Sequence, residues 1–540
     1  MIPVDVGRIP RRNKEEKMGE KGTKAWRIKE KCKAVLAGLC VLSVLALIYH
    51  GTPAGAAGPE YGGQLTVAVE ADSRGFDPIK AGFLTPQARS IALAVEERLF
   101  DMDGKGKLVP ELGLSATPSK DGRSWTIKLR KGVVFHDGTP FNADAVVQHW
   151  ERLLDPKNHF LGLATMQPIE SVKRVDDYTV RFNLKHAWVP FKDVIASTNG
   201  IAAYIPSPKA VREGTQDRAP VGTGPYRFKE WSANDRLVVV KNSTYWRKGK
   251  PYLDAVVFRT VPDMQTRFAG LKSGELDVIL TDRGASVLQA RNDKALKVYS
   301  SEATGAETFI LNTSIPPLND VRVRRAIAHA WNQEFYIKAS YKDTISVARD
   351  PFGGAIGCGD LGYFEYNPEK GRKLMAEYGK PVSLELLVTN TPRGREFGEI
   401  IQRMLKEIGV TVTITPLALG QRNKKVLAGD YQATGWQLFD ATDMGPVLYA
   451  NLFSTSELNF SRYRNPEMDR LLTTVQTSVN PRERQKALCG VAKQINEEAV
   501  FLYRGALRYN AIAKAEVQGI AKVDHGVIRV MDAWVKGGKS

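Results

Sequence analysis

The sequence predicts an α/β protein built from two or three lobes, and three observations carry that reading. The chain has 540 residues, too many for one ordinary core. Its 43% apolar and 25% charged residues are the proportions of a globular body in water. Strand-like and helix-like runs alternate with short connections over 255–280 and again over 382–414, the pattern of βαβ units.

A third of the formal charge of +18 sits in residues 1–33, which carry eleven Lys or Arg against five Asp or Glu. No basic stretch interleaved with aromatics follows residue 60, so the positive balance reads as an evenly mixed surface and no nucleic-acid partner is expected. Behind the basic segment comes the uncharged apolar run 34–49, then the small residues of Thr52–Gly58. That order predicts a secretory signal peptide over 1–57, cleaved near Ala56 or Ala57. The run is short of the roughly 20 residues that span a membrane, though an uncleaved anchor stays open. Leu39 before Cys40 does not fit a lipid-attachment signal, so a freely soluble exported protein is favoured. The mature chain then keeps Cys358 and Cys489; they lie far apart without a spacing signature, and whether they pair is left open.

In chain order, 63–70 reads as a first strand, with Gly75-Phe76-Asp77-Pro78 turning out of it. A helix is expected from Pro86 to about Phe100, with Ile91, Ala94, Val95 and Leu99 on one face. Trp125–Leu129 alternates as a half-buried strand, Asp137-Gly138-Thr139-Pro140 is a tight turn, and Asn142 or Asp144 caps the helix that follows. Tyr178–Leu184 is another alternating strand. In Val221-Gly222-Thr223-Gly224-Pro225 the glycines allow a close backbone crossing. A helix from Asp263 to Gly274 joins the strand-like runs 255–258 and 276–280. The second half repeats the logic: strand 309–313, a helix opened by Asn367-Pro368, strand 382–389, a helix bearing Phe397, Ile401, Met404 and Leu405, and strand 410–414. Arg482–Glu498 reads as helix, and 506–530 as strands rejoining the first lobe.

Several of these blocks, in this order, resemble the family 5 extracellular solute-binding proteins. The carriers are 108–147, Val221–Phe228, the run Asn312-Thr313 through Pro317-Leu318-Asn319-Asp320-Val321-Arg322-Val323-Arg324, and Asn465-Pro466-Glu467 with Leu471-Leu472. Such proteins are peptide, nickel and oligosaccharide receptors that feed ABC importers. The resemblance implies two α/β lobes with a hinge, like periplasmic binding proteins, and an extra domain inserted in the first lobe. Lobe I would comprise 58–103, 221–308 and 509–540, the inserted subdomain 104–220, and lobe II 309–508. It implies a periplasmic monomer without cofactor, metal or catalytic residue, whose partners are a peptide or other small solute and an inner-membrane ABC permease.

By the same resemblance, the loop Gly435–Pro446 carries ligand contacts. Peptide-binding relatives place an Asp after a Trp there to hold the solute's ammonium, and Asp440 after Trp436 is the match, with a gap one residue longer. Asp443 stands where a second Asp would be, with Met444-Gly445 before Pro446. Arg393, in Thr391-Pro392-Arg393-Gly394, matches the arginine that holds the carboxylate, and Arg395 is its rival. The chemistry suits the types: a forked guanidinium fits a carboxylate, and a carboxylate fits an ammonium. Trp436 either stacks on the solute or fills the core, and Glu70 and Asp72 line the cleft from the first strand. Nickel chelates and oligosaccharide or opine-like solutes stay open within the receptor class. The rival from another class is an exported hydrolase, against which the seven scattered histidines and the missing Gly-x-Ser-x-Gly and His-Glu-x-x-His motifs argue. His136-Asp137 is read as part of the turn rather than a catalytic dyad.

Overall fold

Gln64–Val69 alternates in sequence and forms strand β1, with Leu65, Val67 and Val69 fully buried. The computed structural model describes residues 58–80, 85–103, 106–197, 200, 202–281, 283–354, 356–437, 441, 443–520 and 523–537. The expected signal peptide, 1–57, lies outside them. From Glu60 onward the chain is a single compact unit.

The helix after β1, Pro86–Val95, is opened by Thr85, whose side chain accepts from the Ala88 amide, and by proline in the first turn. It ends about a turn before the expected Phe100. Glu96 is extended there, and its side chain and that of Glu97 are tied into buried hydrogen bonds from Gln216, Thr223, Tyr245 and Trp246. These bonds hold the backbone straight where a helix would turn the carboxylates away. Phe100–Met102 (β2) and Leu108–Pro110 (β3) then form a short ribbon.

Next comes a separate four-stranded antiparallel sheet of Gly113–Pro118 (β4), Ser124–Leu129 (β5), Ile169–Asp176 (β6) and Thr179–Leu184 (β7), in the order β4-β5-β7-β6. Of the two cap candidates, Asn142 caps the helix Ala143–Leu154 by accepting from the Ala145 amide. That helix buries Val146, Trp150 and Leu153 in a core shared with Ile127, Val172, Val180 and Phe182. The chain leaves this sheet through Gly222 and Gly224. A Cβ on either would fall 2.3 Å or 2.6 Å from the Val95 carbonyl oxygen, and the Gly224 amide donates to that oxygen at 2.9 Å.

Tyr226–Ser232 (β8), Arg236–Lys241 (β9) and Ala255–Thr260 (β10) form an antiparallel meander, and β10 pairs in parallel with β1. The helix Met264–Ser273, capped by Asp263 and closed by Gly274 at φ 89°, leads to Val278–Thr281 (β11) on the other side of β1.

Two long strands then organise the molecule. Leu296–Leu311 (β12) is followed much later by its antiparallel partner, and the second βαβ unit lies between them. In that unit Val382–Thr389 (β13) and Val410–Leu417 (β14) are parallel and flank the helix Pro392–Lys406, and Ala433–Gln437 (β15) pairs with β13 and β12. Phe501–Lys514 (β16) completes the set. The ten-stranded order is β14-β13-β15-β12-β16-β11-β1-β10-β9-β8. The pair β12–β16 therefore bonds to β15 at one end and β11 at the other, with bulges between Glu302 and Ala306 and between Glu307 and Thr308.

Beyond Lys514 the expected strands shrink to Val517–Gln518 (β17) and Trp534–Val535 (β18). Ile520, Val523, Ile528 and Val530 instead plug the core beside β1 as irregular chain. Cys358 and Cys489 form a disulfide that pins the 358 segment to the helix Pro481–Glu497.

Candidate functional site

The carboxyl ends of parallel strands are where open α/β sheets present side chains to a ligand. Here the ends of β1, β13 and β15 supply Glu70, Arg393 and Trp436, and the bulged middle of β12–β16 adds Glu307 and Arg504. Thr391 caps the helix after β13 by accepting from the Gly394 amide at 3.1 Å, which puts Arg393 in the first turn.

Arg393 donates to the Glu307 carboxylate at 3.1 and 3.3 Å and to the Tyr341 hydroxyl. Tyr341 donates to the same carboxylate at 2.5 Å, and Arg504 pairs with it at 3.3 Å while donating to the Tyr336 hydroxyl. Glu307 is thus shared by two guanidiniums and a phenol in a largely buried setting. Burial, then the charge of Arg504, pushes Arg393 down to about 10. Arg504 goes the other way: against its burial, Tyr336, Glu307 and Tyr341 raise it. Burial and the Glu307 charge hold the Tyr341 phenol well above its ordinary value, so it stays neutral.

Trp436 is half-buried at the end of β15, edge-on to Phe460 with centroids 5.0 Å apart, and its other neighbour is the guanidinium of Arg422 at 5.3 Å. Its ring therefore serves the core on one side and meets a cation on the other. Arg422 reaches it from the helix Leu419–Ala428 and donates to Gly435 O at 3.3 Å and to Asn423 Oδ1. Burial and Arg504 push it, too, down to about 10.

The remaining expected residues are dispersed. Glu70 is 57% exposed and lies 3.9 Å from Arg267. Asp72 accepts from Trp231 Nε1 at 3.0 Å and from the Asn234 amide, so its carboxylate secures a neighbouring turn. Asp443 accepts from Arg484 at 2.7 Å through both oxygens, and its amide donates to Asp193. Asp440 lies outside the described residues. Arg395 is exposed on the helix surface. His136 bonds to Gly224 O and Asp137 to Thr139 and Ser207, as a turn requires. Among the described residues no cluster of His, Cys, Asp or Glu could hold a metal, and no helix is long and apolar enough to cross a membrane.

Sequence reasoning missed Glu307, Arg504, Arg422 and Tyr341. A signal existed for the first two: each is a charge directly abutting an apolar run, Glu307 before Thr308-Phe309-Ile310-Leu311 and Arg504 after Phe501-Leu502-Tyr503.

A mixed sheet continuous through two long crossing strands, with a buried charged cluster at the strand ends, defines a receptor for a small solute. The chain belongs to the bacterial extracellular solute-binding proteins of family 5, whose middle-region model matches residues 107–460. These are binding proteins of ABC transport rather than catalysts. A glutathione-binding protein of Pectobacterium atrosepticum is 30% identical, over 81% of this chain and 87% of its own. A probable di/tripeptide-binding protein of Pseudomonas aeruginosa is 30% identical over 85% and 93%. The dipeptide-binding protein of Pseudoalteromonas sp. SM9913, solved with Met-Leu, superposes with a TM-score of 0.80 at 25% identity, over 88% of this chain and all of that one.

Proposed function

We propose that this protein is the periplasmic receptor of an ABC importer for di- and oligopeptides. It captures the solute between lobe I (58–103, 221–308, 509–540, with the inserted subdomain 104–220) and lobe II (309–508), and presents the closed form to an inner-membrane permease. The observation that carries the reading is the placement of Arg393 by the Thr391 cap at the carboxyl end of β13, beside the end of β15 that bears Trp436. Relatives at 30% identity named for glutathione and for di- and tripeptides support the same solute class.

In this mechanism Arg393 receives the peptide carboxylate, Asp440 its ammonium group, and Trp436 packs along it. Glu70 and Asp72 border the entrance from β1, and Asp443 acts by fixing the loop through Arg484. The β12–β16 pair is the hinge, since among the described strands it bonds the β11 side of the sheet to the β15 side. Solute binding shifts the open–closed equilibrium by its preference for the closed form.

The test is native mass spectrometry of the leaderless protein, followed by a thermal-shift screen of dipeptides, tripeptides, oligosaccharides and nickel with and without histidine. A bound solute raises the melting temperature by mass action, so peptides are the class expected to shift it. A shift with sugars or nickel chelates and none with peptides would replace the solute class and leave the receptor standing.

A further inference from the structure

Around Gly435 two guanidiniums meet on a single residue. Arg422 donates to its carbonyl oxygen at 3.3 Å, and a Cβ on its α-carbon would fall 3.3 Å from Arg504 Nη1. Arg504 is also packed 4.3 Å over the Phe397 ring, so its position is fixed by the core. The Glu307 carboxylate pairs with Arg504 and Arg393. Farther acidic groups are otherwise engaged: Glu396 with Arg283 at 3.3 Å and Ser340 at 2.9 Å, and Glu70 in the open near Arg267. Among the described residues the hydrogen-bond acceptors of Arg422 are neutral, Asn423 Oδ1 and Gly435 O. Arg422 thus stands beside Arg504 with neutral acceptors, while Glu307 is shared by Arg504 and Arg393; burial and the Arg504 charge lower the basicity of Arg422. Burying like charges together is costly unless a counter-charge arrives.

We infer that the solute supplies it: Arg422, backed by Arg504, receives a second carboxylate, so the receptor selects short peptides that carry an acidic group in addition to the terminal carboxylate. This rests on the peptide-receptor reading and deepens it. The terminal carboxylate goes to Arg393. The acidic group lies beside Trp436, whose ring has the Arg422 guanidinium 5.3 Å from its centroid. A neutral peptide fills the same cleft and leaves Arg422 with its neutral acceptors.

Calorimetric titration of the leaderless protein with matched pairs tests this: Ala-Glu against Ala-Gln, and Glu-Ala against Gln-Ala, with Ala-Ala as the neutral reference. At least one acidic member binds about tenfold to a hundredfold more tightly than its amide, the range of one charge-assisted hydrogen-bonded pair. Arg422→Gln erases that difference by bringing the acidic member down to the affinity of its amide, and Arg422→Lys retains part of it. Equal affinities for acid and amide in the wild type overturn the inference and leave the peptide receptor intact. So does an equal loss for acidic and neutral peptides in Arg422→Gln with its melting temperature unchanged. Binding of no peptide at all overturns both.

Discussion

The backbone amide of Asp443 donates a hydrogen bond of 3.1 Å to the carboxylate of Asp193, tying the turn after β15 to the short helix Phe191–Ala196. Close by, Trp188 Nε1 donates to Gln476 at 2.7 Å across the same junction. The groups that act on Asp193 are the Asp443 carboxylate, the His525 ring and Arg484, which itself holds Asp443. Two segments far apart in sequence are therefore joined by a buried carboxylate that has a second carboxylate, that of Asp443, acting against its charge.

Burial first, and the Asp443 charge second, raise the Asp193 carboxyl from 3.8 to about 7. A proton held more tightly in the folded than in the unfolded chain makes stability fall as pH rises. Between pH 4 and 7 the unfolded chain has released this proton and the folded chain has not; above the folded value the penalty is constant. Asp193→Asn removes the ionisation and keeps an acceptor for the Asp443 amide. It should raise the melting temperature at pH 8 relative to wild type, by a free energy on the order of a few kcal/mol at most. At pH 4 the two proteins should melt together. Parallel melting curves for the two proteins across this range would contradict the buried ionisation.

The Cys358–Cys489 bridge closes a loop with a sequence separation of 131. By loop entropy alone, such a cross-link restrains the unfolded chain by about 5 kcal/mol. Reduction should move the urea midpoint sharply down, Cys358→Ser should do the same without reductant, and reductant should add nothing to that variant. A midpoint unmoved by both treatments would mean that the bond carries no stability.

Much of the scaffold was legible because it is local. Alternation marked Trp125–Leu129 and Thr179–Leu184, and Asn367, Asp263 and Gly274 announced helix ends within a turn of their own positions. Gly222 and Gly224 announced a close crossing, although not what they cross. What escaped depends on distant partners. The helix after β1 stops at Val95 because Glu96 and Glu97 bond to residues beyond 200, and no helical periodicity contains that. Asp443 stood in the right loop for a ligand contact, but its partner Arg484 lies on another helix. Glu307 and Arg504 meet only because β12 and β16 run antiparallel, so their pairing is a property of topology rather than spacing.

The glycine crossing makes a prediction of its own. At Gly224 an added Cβ meets Val95 C and O at 2.6 Å, atoms of a helix end that cannot swing aside as a side chain could. Gly224→Ala should cost about 1–3 kcal/mol, the usual range for overpacking. Gly357→Ala, where a Cβ meets nothing within 4 Å, is the control and should lie near wild type. Equal denaturation midpoints for the two variants would show that the crossing is not tight.

Glu307 offers the sharpest test of the charged cluster. Its side chain takes the Tyr341 hydroxyl and pairs with both Arg393 and Arg504. Glu307→Gln preserves the volume and an acceptor for Tyr341 but removes the charge that two largely buried guanidiniums share. Breaking a buried pair in this way costs about 3–5 kcal/mol. The ligand-free variant should therefore melt well below wild type. A peptide that brings carboxylates to the same guanidiniums should restore part of the loss, so saturating peptide should raise the melting temperature more in the variant than in the wild type. The two effects are separable: a lowered melting point without the enlarged peptide response would make Glu307 a purely structural residue. An unchanged melting point would mean that the cluster does not depend on it.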